Sequence, residues 1–228
     1  MKKWTELERL TTPDGSTLSL ARHDRDYVIR VNGRELMSTR HSHSEEQLGV
    51  VGCQGLREQR NARVLIGGLG LGFTLRATLA QLRADAHVVV AELLPEIVTW
   101  NQNPAYQLAF AELADPRTEI VLGDVARVIE QSNASFDVIL LDADNETTAM
   151  NTAGNTRLYR ASGLAAVHRA LTEHGLAVYW SAGEDPQFAE RFASSGFEVE
   201  VKRVRRHPST KASHYLILGR SARTSRSP

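Results

Sequence analysis

Short apolar runs separated by turn residues make up most of this chain, and their spacing changes once. Before Ala62 the runs are Leu18 with Leu20, then Tyr27, Val28, Ile29 and Val31, then Leu36 with Met37, divided by Asp14-Gly15 and Asn32-Gly33. Asn-Gly between short apolar runs is a strong hairpin signal, so residues 1–43 are expected to form a small antiparallel β-hairpin unit. Ser44, Glu45 and Glu46 then open a helix with Leu48, Val51 and Leu56 on its apolar side. Ser44 is the expected N-cap, and the two acids suit the positive end of the helix dipole.

From Arg63 onward, strands alternate with helices. The expected strands are Val64 to Ile66, His87 to Ala91, Glu119 to Leu122, Val138 to Leu141, Leu176 to Trp180, and a closing pair at Glu198 to Val201 and Tyr215 to Leu218. Such alternation predicts right-handed crossovers and a doubly wound, mostly parallel seven-stranded sheet. The last two strands are joined only by a loop around His207-Pro208-Ser209, which predicts an antiparallel hairpin at the sheet edge. The α/β domain is expected over residues 44–220, with a disordered tail at 221–228.

The most informative segment is ARVLIGGLGLGF, Ala62 to Phe73. A buried strand stops in Gly67, Gly68, Gly70 and Gly72, which lets the backbone turn tightly and approach a ligand before a helix begins near Leu71. Glu92 ends the next apolar strand about twenty residues on, where a carboxylate can accept from both ribose hydroxyls. Asp124 follows the third strand and Asp142 the fourth, each at a carboxyl end, where open α/β sheets bind ligands. Singly, each feature has a bland reading: a packing glycine, or an N-cap in the case of Asp124 and Glu92. Together and in order they predict a nucleotide site. In an NAD fingerprint two residues separate the second glycine from the third, whereas Gly68, Gly70 and Gly72 are each separated by a single residue.

Composition narrows the setting. The 27 Lys and Arg balance 27 Asp and Glu, yet no acid follows Glu200 while eight basic residues do, so the body of the chain is acidic. That favours a cationic or neutral small acceptor over nucleic acid. The basic end has the charge of an RNA-binding arm but only Tyr215 among its aromatics, and reads as a solvated strand edge. One cysteine, Cys53, excludes a disulfide framework or a cysteine-rich metal site. Charged residues interrupt the start, MKKWTELERL, so no secretory signal is read there, and no apolar run is long enough to span a membrane. The expectation is a cytoplasmic, soluble protein. His41 and His43 with Glu45 and Glu46 imitate a metal cluster in composition, but a solvated loop entering a helix is the simpler reading, and no metal is expected.

The order of glycine turn, Glu92, Asp124 and Asp142 resembles class I S-adenosylmethionine-dependent transferases. Within them the run from about Val64 to Asp142 is similar to the spermidine synthase family, with its "GGDGG"-type turn, ribose Glu and "DPRV…GD…FDVI…D" segment. The resemblance implies S-adenosylmethionine or its decarboxylated form as donor, held by Gly67, Gly68, Gly70, Glu92 and Asp124. It further implies Asp142 as the base for an attacking amine, a small-molecule acceptor, and a homodimer whose N-terminal unit walls the site.

Three places depart from the family. Gly70 stands where its loop carries an Asp that contacts the donor's amino group; Leu36 is nearest to a lost Gln; and Ser44-Glu45-Glu46 replaces a Tyr-His-Glu triplet. The second acceptor acid is also altered, with Asn145 in its place and Asp144 one residue early. Asp144, Asn145, Glu46 and Tyr159 are the candidate acceptor contacts, and the segment from Asn145 to Tyr159 is a candidate lid. With the adenosine half kept and the tail clamp missing, methyl transfer to an amine-like acceptor is placed ahead of aminopropyl transfer. A binding protein that has lost transfer is the alternative from another class.

Overall fold

The computed structural model describes residues 3–12, 15–142, 157–207, 210 and 212–221. Two sheets organise them. The first is a four-stranded antiparallel meander of β1 (Thr5–Thr11), β2 (Thr17–His23), β3 (Asp26–Val31) and β4 (Arg34–Ser38), ordered β1-β2-β3-β4. The Asn32-Gly33 turn joins β3 to β4 with φ of 49° and 78°, the left-handed pair that a two-residue hairpin turn requires. The unit is thus larger than a hairpin. β1 escapes a search for apolar runs because it is an edge strand in which only Leu7 and Leu10 pack on the core, among charges and a register shift at Glu6/Glu8.

Helix α1 (His43–Cys53) links this sheet to the second. Its N-cap is Ser42, not Ser44. The Ser42 hydroxyl donates to Glu46 Oε1 at 2.9 Å, while Ser44 sits inside the first turn and is fully buried.

The second sheet has seven strands: β5 (Arg63–Gly67), β6 (His87–Glu92), β7 (Thr118–Leu122), β8 (Phe136–Leu141), β9 (Leu171–Ser181), β10 (Phe197–Arg205) and β11 (Ser213–Ser221). Their order is β10-β11-β9-β8-β5-β6-β7. β5 to β9 run parallel, and β11 lies antiparallel between β9 and β10, as the closing hairpin predicts. The edge strand β10 carries Lys202, Arg203 and Arg205, charges that discourage pairing with another chain.

Strand alternation divides the core in two. Val64, Ile66, Val138, Leu140, Val178 and Trp180 face α1 and the first sheet. Leu65, Ile139, Leu141, Ala177 and Tyr179 face the other way. There they meet α5 (Val125–Gln131), α6 (Ala161–Ala170) and α7 (Pro186–Ala193) through Ile129, Val167, Phe188 and Phe192. Helices α2 (Phe73–Gln81), α3 (Pro95–Gln102) and the single turn α4 (Phe110–Leu113) complete the fold. No helix among the described residues is long and apolar enough to cross a membrane.

Candidate functional site

Parallel register brings the sequence-predicted residues to one edge of the sheet. Gly67 pairs with Ala91 on one side and Leu141 on the other, and Glu92 pairs with Leu122. The glycine turn, Glu92, Gly123-Asp124 and Asp142 therefore leave the sheet at the same end. The turn runs through positive φ at Gly68 (93°), Gly70 (53°) and Gly72 (80°), and α2 starts at Phe73 with Gly72 as its cap, two residues later than the sequence suggests. Gly68 and Gly123 have nothing within 4 Å of where a Cβ would stand, so bare backbone is presented there. Such openings let a ligand approach the chain closely.

Glu92 is 7% exposed, and both its oxygens are engaged: Oε2 accepts from Leu69 N–H at 2.8 Å and Oε1 from Leu94 N–H at 2.9 Å. Burial pushes its carboxyl above the usual carboxylate range, opposed by backbone N–H groups of Leu94, Leu69, Gly70 and Leu93. Glu92 thus ties the glycine turn to the end of β6.

Asp124 caps α5, with Oδ1 accepting from Ala126 N–H at 2.8 Å, and its Oδ2 pairs with Arg157 at 2.8 Å. The capping role that the sequence left open is therefore present. Asp142 follows β8 directly and is half-buried. Glu46 is engaged by Ser42. Tyr159 is 9% exposed, its ring 4.9 Å from Phe188 and 5.2 Å from Tyr179, among the aromatic side chains of the α6–α7 face. Asp144, Asn145 and most of the candidate lid lie outside the described residues. Among the described residues no three His, Cys, Asp or Glu side chains are grouped to hold a metal.

Sequence reasoning did not find Met37. From β4 its sulfur accepts the Leu71 N–H at 3.0 Å, and its Sδ and Cε stand 2.6 Å from where a Cβ on Gly70 would be. The place of a side chain on the loop is thus filled from the other sheet. Nothing in the local sequence marks this, because the contact spans 34 positions. Trp180 and His214 also meet at this end without a sequence signal, while Glu45, read from the sequence only as a helix-opening acid, is linked to His214 through Ser44.

The fold is the one found in spermidine synthases, a class I S-adenosylmethionine-dependent methyltransferase-like fold. A spermidine synthase in complex with the transition-state analogue AdoDATO matches with a TM-score of 0.71 at 19% identity, over 95% of this chain and 72% of the other. The spermidine synthase from Thermotoga maritima matches with 0.71 at 18% identity over the same shares. A probable spermidine synthase from Corynebacterium glutamicum matches with 0.63 at 18% identity, over 96% and 81%. No protein-family model and no curated protein sequence matches the chain.

Proposed function

We propose that this protein transfers an alkyl group from the sulfonium of an S-adenosylmethionine-type donor to a small amine, with aminopropyl transfer as its first chemistry. The observation that carries this reading is the extent of the structural likeness: it spans 95% of the chain, the four-stranded sheet as well as the seven-stranded one, and the matched proteins bear the name spermidine synthase. That favours aminopropyl over the methyl transfer expected from the loop sequence. In this reading the donor is decarboxylated S-adenosylmethionine. The open backbone at Gly68 lies against the donor, Glu92 takes the ribose hydroxyls, Asp124 faces the adenine end and Gly70 the tail.

The reaction asks little covalent chemistry of the protein. The amine lone pair attacks the carbon bound to the sulfonium, the nitrogen–carbon bond forms, and the carbon–sulfur pair returns to sulfur, leaving a neutral thioether. The amine's surplus proton goes to Asp142, and the sheet edge supplies alignment. Tyr159, Asp144, Asn145 and Glu46 remain candidates for the acceptor side, and a homodimer is the proposed assembly.

Met37 favours a second reading. With its thioether beside Gly70, the loop offers no carboxylate to a donor's ammonium, and the full methionine tail of S-adenosylmethionine brings its own carboxylate to balance that charge, which the decarboxylated donor does not. Incubating the protein with each donor and a panel of amines, and reading the mass added to the acceptor, decides between them. An aminopropyl adduct supports the first reading, a methyl adduct the second. No adduct with either donor, with methylthioadenosine bound, would support a binding protein instead.

A further inference from the structure

The glycine turn is gripped by a side chain that stands outside the donor, acceptor and base roles. Asn101, in the last turn of α3, is fully buried. Its Nδ2 donates to the Gly70 carbonyl at 2.8 Å and to the Ile97 carbonyl at 2.8 Å, and its Oδ1 accepts the Ala109 N–H at 3.2 Å. Carbonyls on one side and an N–H on the other demand a short side chain that both donates and accepts. Asparagine meets that demand, whereas leucine makes none of these bonds and an aspartate would set its charge against the carbonyls.

Helix formation does not call for such a residue. Asn ranks low in helix propensity, and a fully buried helical position is ordinarily filled by an apolar side chain. Its hydrogen bonds offset a burial that is costly for any polar atom left unpaired. The bond to Ile97 stays within α3, while the others reach outward, to the turn and to Ala109 at the start of α4.

The Gly70 carbonyl belongs to the same peptide group as the Leu71 N–H, which donates to Met37 Sδ at 3.0 Å. One peptide is therefore held at its oxygen by α3 and at its nitrogen by β4. Glu92 performs the corresponding task for the first half of the turn, through the Leu69 N–H. Glycine loses more conformational freedom on ordering than any other residue, and Gly70 stands at φ 53° with Gly72 at 80° beyond it. A turn of that composition keeps one shape because its neighbours fix its peptide planes.

We infer that Asn101, acting with Met37 on the Gly70–Leu71 peptide, is a positioning residue that sets affinity for the tail of the donor. This rests on the donor-site reading above, in which Gly70 faces the tail while Gly68 and Glu92 serve the adenosine half. Release of the Gly70 carbonyl lets this peptide rotate and carries Gly70 and the Met37 thioether out of place, while Leu69 stays tied to Glu92. The loss therefore falls on ligands that carry a tail and spares the bare nucleoside. A residue that only stabilised the fold would lower the melting temperature and leave both affinities of the folded protein as they are.

Calorimetry with decarboxylated S-adenosylmethionine and with adenosine, well below the melting temperature of each variant, tests this. Asn101→Leu keeps the volume and removes every hydrogen bond of the side chain. It should weaken the tailed donor by about tenfold, the equivalent of one well-made hydrogen bond, and adenosine by less than about threefold. Met37→Leu removes only the sulfur acceptor and should shift the same ratio in the same direction by a smaller factor. The two changes together should cost less than the sum of their separate effects, because both release one peptide. Equal weakening of both ligands in Asn101→Leu, or of neither, overturns the inference and leaves the donor-site reading standing. If that variant does not fold, an unchanged ratio in Met37→Leu overturns it instead. A wild type that binds neither ligand overturns both.

Discussion

Replacing Glu92 by Ala should cost this protein about 2 to 4 kcal/mol of folding stability, before any ligand is considered. The carboxylate accepts from two backbone amides, Leu69 at 2.8 Å and Leu94 at 2.9 Å, one on each side of the adjoining β5 and β6 ends. Truncation leaves both donors stranded, each at about 1 to 3 kcal/mol when buried. Relief from burying a carboxylate, visible as its raised pKa, offsets part of that sum. Urea unfolding gives the free energy, and hydrogen exchange at the Leu69 and Leu94 amides should accelerate in the variant. A loss below about 0.5 kcal/mol, the range of an uninvolved surface change, with exchange unaltered, would refute the idea that Glu92 holds the turn.

The same residue predicts a pH dependence of definite sign. Its native pKa lies above the ordinary 4.5, so between the two values the native state keeps a proton that the unfolded chain has released. Stability from this group is fully present below the unfolded value and is lost as pH rises through the native one, the reverse of a salt-bridged carboxylate. Glu45 acts in the same direction. The variant should therefore lose less stability than the wild type as pH is raised from about 4.5, the ordinary carboxylate value.

Gly70→Asp would push Met37 off the Leu71 amide, so in a double-mutant cycle with Met37→Ala the two stability losses should couple by about 0.5 kcal/mol or more; additivity within about 0.3 kcal/mol would deny the contact. Asp142→Asn keeps shape while removing the proposed base, so transfer to an amine should fall about a hundredfold or more with the melting temperature hardly moved; unchanged turnover would place the base elsewhere. Asp124→Ala should cost about 1 kcal/mol through the lost α5 cap, and an equal loss in Asp124→Asn, a good cap, would show that the Arg157 pair matters more than the cap.

Period and punctuation were enough to read the α/β class, the seven strands, the parallel course of five of them and the antiparallel closing pair from the chain. Buried strands such as Val138 to Leu141 are continuous apolar runs, and Asn-Gly fixes its own turn. The glycines and the acids at strand ends were legible for the same reason: their positions follow from where each strand stops. β1 and the true cap of α1 were not, because an edge strand needs few apolar residues and because Ser42 and Ser44 are equivalent as letters. In the fold Ser42 is the cap, while Ser44 is buried and meets His214, 170 positions away. Met37 against Gly70, and His214 between Trp180 and Ser44, are likewise products of docking one sheet and one helix against another. Local sequence sets where a chain turns and which face is apolar; which side chain meets which across the crevice is decided only when distant elements share one core.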